Sequence, residues 1–222
     1  MIIDILTLFP KELEISLHGA LKRADIRFVN IRDFSHNNYR SVDDRQYGGG
    51  KGMILKCQPI FEAIQSVKDE KLNKREQKVI LLDPSGKKYN QVQAKKISKL
   101  KHIILVCGHY EGVDPRIKDF LVDEVYSIGD YILTGGEYPA LVLADSVVRL
   151  LPGVLKEEVT DKESFSGKNP ILEYPQYTRP DSFNGHRVPK VLLSGNYKEI
   201  QNWREEEAKK ITSKLRPDLL KI

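Results

Sequence analysis

Three short segments concentrate the residues best suited to holding a small ligand: Asp83-Pro84-Ser85-Gly86, Cys107-Gly108-His109-Tyr110-Glu111-Gly112, and Ile128-Gly129-Asp130-Tyr131-Ile132-Leu133-Thr134-Gly135-Gly136-Glu137. Glycine lets backbone N–H and C=O groups come within hydrogen-bonding reach of a flat heterocycle, while Leu82, Ile128, Tyr131 and Leu133 supply apolar walls. That combination suits an adenosine-like ligand. Tight turns use the same residue types, but three such loops after successive predicted strands favour one shared ligand over three unrelated turns. A further segment, Tyr47-Gly48-Gly49-Gly50-Lys51-Gly52-Met53, is either a phosphate nest or a flexible turn. No segment matches G-x-G-x-x-G, and neither Gly50-Lys51-Gly52 nor Gly86-Lys87-Lys88 has the hydroxyl residue that follows the lysine of a P-loop. Dinucleotide and triphosphate chemistry are therefore disfavoured.

The elements that must position these loops alternate along the chain. Met1 to Phe9 reads as a buried strand, Glu12 to Arg23 as a helix, and Ile26 to Ile31 as a strand. The polar, then glycine-rich stretch from Arg32 to Gly52 is too long for an ordinary connector and is either mobile or dedicated to a ligand, the second reading being favoured. Helices are predicted over Gln58 to Leu72, Gln91 to Leu100, Pro115 to Leu121 and Tyr138 to Leu151, with strands over Lys78 to Leu82, His102 to Val106 and Glu124 to Ile128. Such alternation predicts an α/β fold, a mostly parallel sheet with helices on both faces that binds ligands beyond the carboxyl ends of its strands. Pro152-Gly153 ends this half, and Lys156 to Gly167 has the charged, small-residue composition of a linker. Beyond it, Tyr197 to Leu215 reads as one long helix, with Trp203 in its core beside Ile200.

The chain has 222 residues, 40% of them hydrophobic, enough for one substantial core and a small second domain. Its net charge is +5. From Arg187 to Ile222 nine Lys or Arg stand against five Asp or Glu, so most of the surplus lies in the tail. A polyanion is a suitable partner for that surface, with Arg179, Arg187, Lys190, Lys209, Lys210, Lys214 and Arg216 as phosphate contacts. Cys57 and Cys107 are far apart and lack metal-ligand companions, which argues against a disulfide framework or a zinc site. The apolar start carries Asp4 and stops at Pro10, too short for a bilayer, so a cytoplasmic location without membrane attachment is expected.

Asp43-Asp44-Arg45-Gln46-Tyr47-Gly48-Gly49-Gly50 and Gly108-His109-Tyr110-Glu111-Gly112-Val113-Asp114 resemble blocks of the tRNA (guanine-N1)-methyltransferase family. Ile128-Gly129-Asp130-Tyr131, Thr134-Gly135-Gly136-Glu137, Tyr177-Thr178-Arg179-Pro180 and Val191-Leu192-Leu193-Ser194-Gly195-Asn196 continue the resemblance in order over nearly the whole chain. It implies a knotted, SPOUT-type methyltransferase domain over 1–155 with a deep trefoil knot, a linker over 156–168, and a small helical tRNA-binding domain over 169–222. It also implies a homodimer with active sites between subunits and S-adenosylmethionine as methyl donor. By matching blocks, Leu82, Pro84, Gly108, Glu111, Ile128, Gly129, Asp130, Tyr131, Ile132, Leu133, Gly135 and Gly136 are the donor-binding residues. General topology rules treat threaded chains as exceptions, so periodicity alone predicts an unknotted open sheet.

The target implied by the family is N1 of the guanine immediately 3′ of the anticodon. That nitrogen carries a proton, so methylation needs a base near N1 and stabilisation of charge growing on O6. In the family a linker carboxylate before a Ser-Phe pair is the base and an arginine ending the preceding helix assists. The matching residues here are Glu163, before Ser164-Phe165, and Arg149. The family more often has Asp at the base position, which leaves Asp161 as the competitor of Glu163. Gln46, Lys51 and Tyr197 also depart from the family's usual Pro, Pro and His. A magnesium ion is a further expectation from the resemblance, although no acidic cluster has metal spacing. Two other readings stay open: a related knotted methyltransferase acting on another RNA, and a non-catalytic RNA-binding protein.

Overall fold

The apolar run at the start becomes the first strand, β1 (Ile2–Thr7), and buries five of its six residues. The structure, a computed structural model, describes residues 1–156, 159–167 and 170–220. Glu157, Glu158 and Lys168 of the expected linker lie outside the described residues, as do Asn169, Lys221 and Ile222. Two units, Met1–Leu155 and Lys156–Ile222, each pack mainly within themselves.

In the first unit, β1 leads to α1 (Pro10–Ile15), a 3-10 turn (Gly19–Arg23) and β2 (Asp25–Asn30). A short antiparallel pair, β3 (Asp43–Arg45) and β4 (Met53–Leu55), precedes α2 (Cys57–Val67). Then follow β5 (Gln77–Lys88), α3 (Gln91–Ile97), β6 (His102–Cys107), α4 (Pro115–Phe120), β7 (Glu124–Ser127) and α5 (Glu137–Val148). The sheet runs β2-β1-β6-β5-β7, and every neighbouring pair is parallel. Side chains alternate across it, as a strand's two-residue period requires. Ile3, Ile5, Ile80, Leu82, Ile103 and Leu105 pack with α3 and α5 on one side. Leu6, Val79, Leu81, Ile104 and Val106 pack with α2 and α4 on the other. This is the parallel sheet covered on both faces that the alternation predicts.

The helix expected over Glu12 to Arg23 is broken. His18 is extended and Gly19 takes φ +55°, so α1 stops at Ile15 and a 3-10 turn brings Leu21 into the core instead. The helix expected to reach Leu72 ends at Val67, because Lys68 turns extended and the Asp69 N–H donates to the Gln77 side chain at 2.9 Å.

At the amino ends of the strands a buried carboxylate joins the sheet laterally. Asp4 on β1 accepts from Arg27 on β2 at 2.8 and 2.6 Å and faces His102 Nε2 on β6 at 2.7 Å. The other ring nitrogen of His102 meets Gln77 Oε1 on β5 at 2.6 Å.

The second unit contains a 3-10 turn (Val159–Asp161), the pair β8 (Ser182–Phe183) and β9 (His186–Arg187), α6 (Lys190–Leu193) and α7 (Tyr197–Leu215). α7 spans the predicted residues and is capped by the Asn196 side chain, which accepts from the Glu199 N–H. Its buried face is Ala208 and Thr212. Thr212 Oγ1 accepts from the Leu172 N–H at 3.0 Å and donates to the Ala208 carbonyl at 2.6 Å. Trp203, expected in the core, is only half-buried, since the buried residues Ala208 and Thr212 lie on the four-residue ridge that runs through Ile200 and Arg204 and passes beside Trp203.

Asp4→Ala is expected to destabilise the first unit by about 3 kcal/mol, the low end for breaking a buried ion pair because Arg27 is half exposed and regains water. Urea unfolding should show the lower midpoint, and a wild-type midpoint would mean that the network contributes no net stability.

Candidate active site

One of the three glycine-rich segments is an interruption within β5, which runs on past the predicted end at Leu82, and the other two follow β6 and β7; the three strands are adjacent in the order β6-β5-β7. Tyr126 on β7 is the register partner of both Leu82 and Lys87, so residues 83–86 bulge outward between two pairings with one residue. Gly86 makes that return feasible: a Cβ there would stand 2.6 to 2.7 Å from the Tyr126 backbone. Within the bulge the Asp83 carboxylate accepts from the Ser85 N–H at 2.8 Å.

The loops after β6 and β7 bind each other through main chain. His109 bridges Gly135, and the Gly136 N–H donates to the Gly108 carbonyl at 2.7 Å. A Cβ on Gly136 would meet Cys107 Cα at 2.8 Å and Gly108 N at 2.9 Å. On the other side the Glu111 N–H donates to the Met53 carbonyl at 3.0 Å, which ties the loop to β4. The Tyr47 to Met53 segment between β3 and β4 is a turn with left-handed φ at Gly48, Gly49, Gly50 and Gly52.

Together the loops enclose a cavity of about 270 Å³. Leu82, Pro84, Gly108, Glu111, Ile128, Gly129, Tyr131, Ile132, Leu133, Gly135 and Gly136 all line it. Asp130 does not; its carboxylate is exposed and pairs with Lys88 Nζ at 3.3 Å. Its neighbours Gly129 and Tyr131 turn inward, which sends the intervening side chain to solvent.

Some wall residues were not singled out by the sequence. His109 packs its ring on Phe9 at 5.3 Å and Tyr110 at 4.7 Å. Its Nδ1 is buried without a hydrogen-bond partner and lies 3.9 Å from Glu137 Oε2. The other Glu137 oxygen accepts from Thr7 Oγ1 at 2.9 Å, so the end of β1 fixes the start of α5 behind the cavity. His109 was legible within its block, but Thr7 and Glu137 lie 130 residues apart and share no local signal. Behind the same loop Cys107 is fully buried, and burial, with the Glu137 carboxylate adding to it, holds its thiol well above the usual range. At the N-terminus of α4, Asp114 accepts from Arg116 at 2.9 and 2.7 Å, and this pairing holds its carboxyl well below the usual range.

Arg149 closes α5 in the first unit. Glu163 belongs to the second, where its carbonyl accepts from the Ser166 N–H at 3.0 Å and its side chain lines a cavity of about 240 Å³ together with Asp161. Among the tail cations, Lys210 pairs with Glu207 and Arg216 with Asp218. Arg179, Arg187, Lys190, Lys209 and Lys214 form no ion pair among the described residues. No three His, Cys, Asp or Glu side chains among those residues converge on a metal position. Among the described residues no helix is long and apolar enough to cross a membrane.

A parallel α/β sheet whose carboxyl-end loops close a glycine-walled, partly apolar cavity places the chain in the class of open α/β proteins with a candidate ligand site at the strand ends. Within that class the chain belongs to the family described as tRNA (Guanine-1)-methyltransferase TrmD, whose model matches residues 1–222. Similar proteins named tRNA (guanine-N(1)-)-methyltransferase come from Macrococcus caseolyticus, 48% identical over 99% of this chain and 92% of that protein, and Geobacillus kaustophilus, 50% identical over 99% and 91%. That of Carboxydothermus hydrogenoformans is 47% identical over 100% and 88%.

Gly136→Ala forces the crossing backbones apart, because the obstacle is main chain and not a flexible side chain. Overpacking of this kind is expected to lower stability by about 1–3 kcal/mol and to deform the cavity. Thermal unfolding of the variant beside the wild type checks it, and an unchanged melting temperature would show that the loops can separate freely.

Proposed function

We propose that the protein transfers a methyl group from S-adenosylmethionine to N1 of the guanine immediately 3′ of the anticodon of tRNA. The observations that carry this reading are the family match over residues 1–222 and the meeting of residues from three of its blocks, at 108–114, 128–131 and 134–137, around one cavity of the first unit.

The cavity fits the donor's chemistry. Backbone groups at Gly129, Gly135 and Gly136 are bare where a Cβ would intrude, Leu82, Ile128 and Leu133 offer apolar contact, and Glu111 supplies a carboxylate for an amino group. S-adenosylmethionine, when bound, supplies a methyl on a positively charged sulfur, which becomes a neutral thioether as the carbon–sulfur bond breaks and the carbon–N1 bond forms. Asp130, outside the cavity wall, is left with a role at its rim.

Glu163 accepts the N1 proton, so that the nitrogen lone pair is free for attack, and Arg149 stabilises the negative charge that develops on O6. Asp161 lines the same second-unit cavity as Glu163 and is the competing base. The trefoil knot, the homodimer with active sites between subunits and the cytoplasmic location belong to the same reading. The bare main-chain approaches at Gly86 and Gly136 are the kind of close packing that such a knot would require. Magnesium, the other expectation from the family, has no evident set of protein ligands among the described residues.

Labelled methyl from S-adenosylmethionine should appear on a tRNA transcript with guanine 3′ of the anticodon and not on one with adenine there. Equal labelling of both would move the target elsewhere in the tRNA, and labelling of neither would leave an RNA-binding role. Glu163→Gln should reduce turnover by about a hundredfold or more, the scale of a lost general base, while donor affinity measured by calorimetry is retained. Near-normal turnover in this variant would transfer the role to Asp161.

A further inference from the structure

The second unit carries another cavity, of about 500 Å³, that the methyl transfer itself does not use. Its wall joins the rings of Tyr174 and Tyr177 to the guanidinium groups of Arg179 and Arg204, with Leu192 and Ile200 behind them. Asp181 is the only carboxylate among the lining residues.

Arg204 is held in a particular way. Its guanidinium lies over the Tyr174 ring, 4.9 Å from the centroid. Its Nε is buried without a hydrogen-bond partner, and the residue forms no ion pair among those described. A stacked cation with an unused donor is poorly satisfied by the protein alone, since a buried N–H without an acceptor is costly. Tyr177 is 51% exposed and packs against Trp203 at 6.4 Å. Aromatic and guanidinium planes with spare N–H donors are the means by which proteins take unpaired RNA bases, stacking on the ring face and bonding the base edge or phosphate.

The stacked pair Tyr174 and Arg204 also forms part of the wall of the neighbouring cavity that Glu163 and Asp161 line. One layer of side chains thus separates the candidate base from the aromatic cavity. We propose that this cavity holds one unpaired nucleotide of the tRNA, a neighbour of the methylated guanine, with its base against Tyr177 and its edge or phosphate met by Arg204 and Arg179. The proposal rests on the reading that the protein methylates tRNA. It adds a site that recognises the RNA next to the target, and in doing so would fix the position of the guanine relative to Glu163.

Trp203 is the only tryptophan in the chain, so its emission reports on Tyr177's surroundings without any label. In the full-length protein, a tRNA transcript and a single-stranded oligoribonucleotide should both change that emission, and a fully paired RNA duplex should not. Tyr177→Ala should raise the KM for tRNA about tenfold, the weakening expected from one lost base stack, with S-adenosylmethionine affinity unchanged. Tyr177→Phe, which keeps the ring, should restore the KM. Unaltered emission at tRNA concentrations that saturate filter binding, an equal response to duplex, or a wild-type KM in Tyr177→Ala would each overturn the proposal. If the wild type transfers no methyl to tRNA while Trp203 still responds to single strands and Tyr177→Ala abolishes that response, the activity reading falls and the nucleotide site stands.

Discussion

A backbone N–H reaching a backbone carbonyl across 2.7 Å, from Gly136 to Gly108, is the contact on which the candidate active site depends. It exists because the chain passes itself at a separation that no Cβ tolerates: the atoms facing Gly136 are Cys107 Cα and Gly108 N, neither of which can rotate away. The same condition recurs at Gly86 against the Tyr126 backbone. Main chain meeting main chain gives the cavity rigid walls of N–H and C=O groups. Their positions are set by the sheet and not by rotamers, and such preorganisation lowers the ordering cost of holding a small, flat ligand.

Beneath these loops the packing explains why the site is stiff. β6 is buried throughout, and its alternate residues feed both cores. Glu137 and Thr7 join the start of α5 to the end of β1 directly behind the cavity. The Asp4, Arg27, His102 and Gln77 network ties four adjacent strands at the opposite end of the sheet. Lateral hydrogen bonds at the amino ends and main-chain contacts at the carboxyl ends leave the strands little freedom to slide, and the cavity is built on the second set.

The second unit answers to a different physics. Its core is thin, with Ala208 and Thr212 the buried residues of α7, and its surface is rich in unpaired cations and half-exposed rings. A surface of that kind contributes little to folding, and under the proposed reading phosphate charge and base faces would provide its missing partners. The first unit's cavity is suited to the methyl donor and the second unit's surface to the nucleic acid.

Local pattern made much of this legible. The strand and helix alternation, the boundaries of α7 and the three glycine-rich loops follow from spacing and turn chemistry, which act over a few residues and so are written in consecutive letters. Other features were not. Gly19 and Lys68 end helices that periodicity would continue, because the tertiary fold takes Leu21 and Asp69 elsewhere. Trp203 lies at helical spacing with Ile200, yet the buried residues of α7 follow the four-residue ridge from Ile200 to Ala208 and Thr212, which passes beside it. The strand order β2-β1-β6-β5-β7 and the meeting of Thr7 with Glu137 join residues far apart in the chain. By itself the sequence determined the alternation of the main strands and helices, the loop chemistry and the family resemblance. Only the tertiary structure decided which loops touch, which glycines are needed for a backbone crossing, and that Asp130 faces Lys88 instead of the cavity, because those outcomes depend on distances between segments that no local preference encodes.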